Sequence, residues 1–196
     1  MLRVSAILLG AGESKRMGKD KLSLPWRGKT VFEHCLQTLL RSKVKEVIAA
    51  VRNSRRTVIS HVKDRRLRVI INPHYKKGMS TSIRRGLQVI DPRSQGILIA
   101  LGDQPRIRTR TIDALIRAFG EKKGTIVVPS FRGRQGHPVI FHRRYLKELL
   151  ALRGDVGGRA ILEKYPEEVY SVRVRSAGVM KDIDTWQDYE RARNEP

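Results

Sequence analysis

Residues 9–22 read LGAGESKRMGKDKL and directly follow an apolar, strand-like run from Val4 to Leu9. A strand that empties into a glycine-rich turn carrying Lys15, Arg16 and Lys21 has the parts of a polyphosphate cradle. Gly10, Gly12 and Gly18 permit positive φ values and close backbone approach, so that N–H groups can converge on an anion that the three cations neutralise. The same residues also fit an ordinary βα turn with solvated charges, because short glycine motifs recur widely. The spacing matches neither common nucleotide fingerprint. G-x-G-x-x-G needs a glycine where Lys15 stands, and a Walker loop needs Gly-Lys-Ser/Thr at its end.

Working outward, strand-like runs recur at Val4 to Leu9, Glu46 to Val51, Leu67 to Ile71, Gly96 to Leu101 and Thr125 to Pro129, most of them followed by a helix-like segment. That alternation predicts an α/β fold with a mainly parallel sheet. Thr30 and Glu33 form a capping-box pattern ahead of an apolar stripe of Val31, Phe32, Cys35, Leu36, Leu39 and Leu40, which assigns Cys35 to the core. Ser80 or Thr81 is the expected cap of a helix running to Val89, and Ile112, Leu115, Ile116 and Phe119 mark another that ends at Gly120. Beyond Pro129 the pattern predicts a polar hairpin over Phe131 to Gly136 and a strand over His137 to Phe141. Helices over Tyr145 to Leu152 and Gly158 to Lys164 follow, then an edge strand over Val169 to Val174. Ligands of open α/β sheets sit outside the carboxyl ends of the strands, which directs attention to the segments leaving Leu9, Ile71, Leu101 and Ser130.

The chain has 196 residues, 40% of them hydrophobic, enough for one sizeable core. One cysteine, Cys35, excludes an internal disulfide, and with five scattered histidines it argues against a Cys/His zinc site. The apolar run near the N-terminus is too short for a signal segment, and no stretch approaches a membrane span, so the expected location is the cytoplasm with no membrane partner. Forty-one Lys and Arg against 19 Asp and Glu give a net charge of +22, which raises a polyanionic partner as a possibility. The cations lie in small groups along the whole chain, among them Arg52, Arg55 and Arg56, Arg65, Arg66 and Arg68, and Arg106, Arg108 and Arg110. Aromatic residues make up 6% and do not interleave with these groups, unlike a stacking platform for single-stranded nucleic acid.

Gly96 to Leu101 runs into Gly102-Asp103-Gln104-Pro105. A carboxylate just past a buried parallel strand is placed to hold a metal beside a nucleotide, and equally to form an Asx-turn or cap before Pro105. Asp182 and Asp184 point to one side of an extended segment and are the second carboxylate candidates, with Thr185 as a cap for the last helix. Asn72 to Ser82, NPHYKKGMSTS, supplies an amide, Gly78 and hydroxyls before a helix N-terminus. That suits hydrogen bonding to sugar or phosphate. Arg134 to Pro138 and Gly154 to Arg159 are the other dense polar motifs, where Asp155 also fits a cap for the helix it opens and a lone histidine such as His137 is more often structural than catalytic.

Over almost the whole chain these pieces resemble the MobA-like nucleotidyltransferases, and among them the molybdenum cofactor cytidylyltransferases. The family loop L-A-A-G-x-S-x-R-M-G-x-x-K is matched at Leu9, Ala11, Gly12, Ser14, Arg16, Met17, Gly18 and Lys21, followed by Leu-x-Leu-Pro at Leu22 to Pro25. The patterns N-x-x-x-x-x-G-M-S-x-S, D-Q-P, G-H-P, G-D-x-G-x-R and D-I-D-T are matched at Asn72 with Gly78 to Ser82, Asp103 to Pro105, Gly136 to Pro138, Gly154 to Arg159, and Asp182 to Thr185. Gly10 departs from the alanine usual in the family. Ala11, just before Gly12, is the cytidylyl form, whereas guanylyl relatives tend to carry glycine there.

The resemblance implies a single three-layer domain over residues 1–196, with a Rossmann-like, mainly parallel sheet of the nucleotide-diphospho-sugar transferase type. Its nucleotide part spans about residues 1–105 and its acceptor part about 106–196. The implied reaction transfers CMP from CTP to the terminal phosphate of molybdenum-carrying molybdopterin, with Mg²⁺ as cofactor. Implied catalytic residues are Arg16, Lys21 and Asp103. Leu9, Gly10, Ala11, Gly12, Glu13, Ser14, Lys21, Asn72, Gly78, Ser82 and Asp103 would bind nucleotide. Ser80, Ser82, Arg134, Gly136, His137, Pro138, Asp155 and Arg159 would bind the acceptor, and Asp103 with Asp184 the metal. The implied partners are these small molecules and a molybdoenzyme of the xanthine dehydrogenase kind or its chaperone. Two rivals stay open: a guanylyl- or other nucleotidyltransferase acting on a different phosphate or phosphonate acceptor, and a basic nucleic-acid-binding protein.

Overall fold

The structure, a computed structural model, describes residues 2–52, 59 and 62–194. Arg55 and Arg56 and the side chain of Lys15 lie outside the described residues. The strands are β1 (Val4–Gly10), β2 (Pro25–Trp26), β3 (Lys29–Thr30), β4 (Glu46–Val51), β5 (Leu67–Ile71), β6 (Gly96–Leu101), β7 (Ile126–Phe131), β8 (Arg134–Gln135), β9 (Val139–His142) and β10 (Val169–Arg173). The helices are α1 (Val31–Leu40), α2 (Met79–Leu87), α3 (Thr109–Gly120), α4 (Leu146–Ala151), α5 (Arg159–Lys164) and α6 (Trp186–Asn194). Among the described residues no helix is long and apolar enough to cross a membrane.

Eight strands form one sheet in the order β10-β7-β9-β6-β1-β4-β5, with β8 paired to β7. β1 runs parallel to both β4 and β6, and β4 to β5, while β9 is antiparallel to β6 and β7. The mainly parallel α/β sheet expected from the alternation is the one observed. The chain steps from β1 out to β4 and β5, then returns to lay β6 on the other flank of β1. The carboxyl end of β1 is therefore the switch point at which such sheets bind ligands.

Alternation along the strands builds the three layers. On β1, Ala6 and Leu8 join the core shared with Phe32, Leu36, Ile112, Leu115 and Tyr189 of α1, α3 and α6. Ile7 and Leu9 face the opposite core with Ile83, Leu87, Leu149 and Ile161 of α2, α4 and α5. Each fully buried Leu or Ile contributes about 1.5–3 kcal/mol relative to exposure, so the alternation alone sets the register. Cys35 is buried in the first core, and burial pushes its thiol pKa up.

Thr30 accepts from the Glu33 N–H at 3.2 Å and Glu33 accepts from the Thr30 N–H at 2.7 Å, the reciprocal pair expected for α1. The start of α2 differs from expectation. Gly78 precedes its first residue, and neither Ser80 nor Thr81 caps it; the helix ends at Leu87, short of Val89. The reason is crowding: a Cβ at residue 78 would overlap the Gly154 carbonyl, so a hydroxyl-bearing cap cannot stand there. Arg132 and Gly133, with φ of 50° and 80°, turn β7 into β8, a two-residue turn whose twist suits a hairpin.

Candidate active site

Of the three loop glycines expected to permit positive φ, only Gly18 uses it. Ser14 and Gly18 take the left-handed conformation, with φ of 56° and 64°, whereas Gly10 and Gly12 do not. Gly10 is small for a different reason: a Cβ there would overlap the Phe32 ring, which also fills the space over Gly102. Phe32 thus floors the junction of β1 and β6, and the Gly10 departure from the family loop is accommodated by that ring. Gly12 is exposed, with open space where a side chain would stand, so the backbone can approach a ligand.

Three ties hold the loop. The Ser14 hydroxyl accepts from the Lys21 N–H at 3.2 Å, Asp20 accepts from the Leu22 N–H at 3.1 Å, and the Trp186 indole donates to the Met17 carbonyl at 3.2 Å. Lys21 is thereby aimed inward. Its ammonium meets Asp103 at 2.6 Å and Asp184 at 2.8 Å, and the Arg16 guanidinium takes the other Asp184 oxygen at 2.8 Å. Burial works to lower the Lys21 pKa, but the two carboxylates outweigh it and the net shift is upward, so the lysine stays charged.

Asp184 reaches this cluster although it lies 163 residues from Lys21 along the chain. The segment that carries it is pinned twice: the Ile183 N–H donates to the Asp103 carbonyl at 3.0 Å, and the His137 N–H donates to the Val179 carbonyl at 2.9 Å. A side chain on Gly136 would overlap that same Val179 carbonyl. In this molecule Gly136 and the His137 backbone position the carboxylate segment. Asp182, on the same segment, is pushed up in pKa by burial and by the nearby Asp103 and Asp184. Burial pushes the His137 imidazole down, against the opposing pull of Asp103 and Asp182, so it is neutral at pH 7.

A cleft of about 740 Å³ opens over this cluster at the carboxyl ends of the strands. Its lining brings together Leu9, Ala11, Gly12, Glu13, Ser14, Arg16, Lys21, Gly78, Ser82, Asp103, Asp155 and Asp184 among the residues singled out from sequence. Tyr75, Lys76, Lys77, Met79 and Leu101 also line it, as do Leu22, Gly154 and Asp182. Of these, Asp182 was visible in the sequence as the same-side partner of Asp184, whereas Tyr75, Lys76 and Lys77 were not.

Asn72, Ser80, Arg134, Pro138 and Arg159 stand outside that lining, and Asp155 within it makes a structural contact. Asn72 is fully buried and spends its amide on Thr81 at 2.8 Å and Ser82 at 2.9 Å while accepting from the His74 N–H at 3.0 Å, so it shapes the turn beneath the cleft. Ser80 is buried with an unpartnered hydroxyl, and its N–H donates to the Gly154 carbonyl at 3.2 Å. Asp155 accepts from the Met79 N–H at 3.2 Å, which makes it a cap for α2 and not for α5. Arg134 is exposed on β8, Pro138 is buried, and Arg159 pairs with Glu163 at 2.9 Å on the surface of α5.

Asp103 has one buried oxygen, Oδ1, with no hydrogen-bond partner. A buried carboxylate oxygen left open beside a second carboxylate is the donor set that a hard divalent cation takes. Among the described residues no three His, Cys, Asp or Glu side chains converge to hold a metal by themselves. Asp103 and Asp184 are the two carboxylates that such an ion could take from the protein. A glycine loop, two cations and a carboxylate pair at a sheet switch point can bind a nucleoside triphosphate and stabilise charge on it.

Known proteins resemble this chain over most of its length. PucB of Bacillus subtilis, a purine catabolism protein, is 28% identical over 95% of this chain and 94% of its own. The molybdenum cofactor cytidylyltransferase of Escherichia coli is 24% identical over 98% of this chain and 97% of its own. A probable molybdenum cofactor guanylyltransferase of Methanosarcina mazei is 32% identical over 74% of this chain and 65% of its own. The crystal structure of Rv0371c from Mycobacterium tuberculosis superposes with a TM-score of 0.85 at 27% identity, covering 99% of this chain and 98% of that one. A complex of that protein with manganese superposes with a TM-score of 0.81. Since the MobA-like NTP transferase domain matches residues 6–169, loop, strands and Asp103 included, the chain belongs to that family of nucleotidyltransferases.

Proposed function

We propose that this nucleotidyltransferase moves CMP from CTP to the terminal phosphate of molybdenum-carrying molybdopterin, releasing pyrophosphate. The observation that carries the reading is the Lys21, Asp103 and Asp184 cluster, with an open Asp103 oxygen, set under a glycine loop. An acceptor phosphate oxygen attacks the α-phosphorus as the bond to the β-phosphate oxygen breaks. The acceptor is already an anion, so no protein nucleophile or general base is needed. What the protein must supply is positioning and compensation of negative charge.

In this reading the backbone of Ala11, Gly12, Glu13 and Ser14 holds the triphosphate, with Leu9, Gly78 and Ser82 completing the nucleotide side. Arg16 and Lys21 neutralise charge that develops on the departing pyrophosphate. Asp103 and Asp184 would hold Mg²⁺, whose contribution is to neutralise and polarise the α-phosphate oxygens. Asp155, which lines the cleft, and Ser80, Arg134, His137 and Arg159, which do not, are assigned to the acceptor. Ala11 in the cytidylyl form supports cytosine as the base. Similarity to a purine catabolism protein supports a molybdoenzyme of the xanthine dehydrogenase kind as recipient.

Thermal melting with CTP, GTP or ATP and Mg²⁺ tests the nucleotide, since a ligand of the folded state raises stability in proportion to its occupancy. CTP should give the largest shift, and cytosine dinucleotide should form from CTP and molybdopterin. A larger shift and turnover with GTP would replace cytidylyl by guanylyl transfer. No shift with any nucleotide would end the reading.

A further inference from the structure

The cations of the cluster occupy the carboxylate oxygens that a metal would use. Lys21 takes Asp103 Oδ2 and Asp184 Oδ1, and Arg16 takes Asp184 Oδ2, so Asp103 Oδ1 alone is open. Lys21 and Arg16 offset the charges of Asp103 and Asp184, and Asp182 stands close beside them. A lone divalent cation would have to break both Lys21 contacts and would leave excess positive charge in a partly buried site, which costs more than it would in water. A triphosphate changes the balance, because it brings more negative charge than the metal brings positive and gives Lys21 and Arg16 another anion to face.

We propose that Lys21 is a stand-in for the metal, holding Asp103 and Asp184 together in the free protein and yielding them only when a nucleotide draws its ammonium away. Metal and nucleotide then bind as one event. Metal alone is turned away, and the carboxylate pair never faces itself uncompensated. The Lys21 backbone stays in place during the exchange, because its N–H is held by Ser14 at 3.2 Å, so a side-chain rotation suffices. This inference rests on the metal-dependent transfer proposed above.

The test is Mn²⁺ binding without nucleotide, read from the electron paramagnetic resonance of free Mn²⁺, for wild type, Lys21→Met and Lys21→Arg. Lys21→Met should bind Mn²⁺ at least about tenfold more tightly than wild type, the equivalent of one charged hydrogen bond no longer displaced. Lys21→Arg, which keeps a cation there, should stay near wild type. Equal Mn²⁺ affinity in wild type and Lys21→Met overturns the stand-in. If Lys21→Met folds poorly, Arg16→Gln, at a largely exposed side chain, frees one Asp184 oxygen and should raise Mn²⁺ affinity by less. No rise overturns the proposal there too. CTP with Mn²⁺ separates the two readings. If that mixture stabilises wild type while Mn²⁺ alone binds it as tightly as Lys21→Met, the stand-in alone fails. If the mixture has no effect, the transfer reading fails as well.

Discussion

The sheet carries a charged cluster at each end, and the two are built to opposite specifications. At the amino ends of the strands, Glu46 accepts from Ser5 at 2.9 Å and from the Asp91 N–H at 3.0 Å, with Arg68 at 3.7 Å. Asp91 accepts from Arg93 at 3.1 Å and Arg3 at 3.0 Å, and those partners, Arg93 foremost, hold its carboxyl well below the usual range. A cleft of about 560 Å³ lies beside them, lined also by Lys45, Arg65 and Arg66. Every carboxylate oxygen of that cluster has a partner. At the carboxyl ends Asp103 keeps an oxygen without one, and the cleft it lines includes Gly12, with open space where a side chain would stand. An unsatisfied acceptor beside an approachable backbone is what separates a site from a staple.

That contrast predicts the largest effect for Asp103→Asn. Its turnover should fall by roughly 10²-fold or more while circular dichroism stays native, because the Asp103 carbonyl still holds Ile183. Near wild-type turnover would reduce the cluster to a second staple. Next comes the floor of the site. Gly10→Ala should destabilise the protein by about 1–3 kcal/mol through overlap with Phe32, and adding Phe32→Leu should recover part of it in urea melts. Full stability of the single variant would show that the ring moves freely. At the other end, Glu46→Gln should cost about 1 kcal/mol and leave nucleotide-induced stabilisation unchanged. A lost nucleotide response there would couple the two ends and break the contrast.

The smallest effect is a pH slope. His137 sits with Asp103 and Asp182, and burial holds its folded pKa below the ordinary 6.5. Below about pH 6.5 the unfolded chain therefore binds a proton that the folded one resists, and stability falls as pH drops through that window. His137→Gln should flatten the slope between urea melts at about pH 7.5 and 5.5, and an identical slope would remove His137 from the pH dependence.

Much of this was legible in the chain. Strand alternation, the Thr30 and Glu33 box and the hairpin over Phe131 to Gly136 depend on near neighbours, and the structure repeats them. The cleft was half legible: Lys21, Asp103 and Asp184 could be chosen by residue type, but Tyr75, Lys76 and Lys77 carried no distinguishing mark, and Asn72 looked like a ligand group until its amide proved to be spent on Thr81 and Ser82. Asp155 read as a cap for the helix that follows it, yet caps α2, a helix far earlier in the chain.

The sequence by itself determined the α/β alternation, the glycine loop after the first strand and the inventory of carboxylates and cations, because periodicity, capping and turn chemistry act within a few residues. Only the tertiary structure decided which of those charges meet. Lys21 and Asp184 are joined by the Val179 and Ile183 backbone contacts, Gly10 is small because Phe32 stands over it, and Glu46 is satisfied where Asp103 is not. Each of these is a distance between segments far apart in the chain, set by how the layers pack.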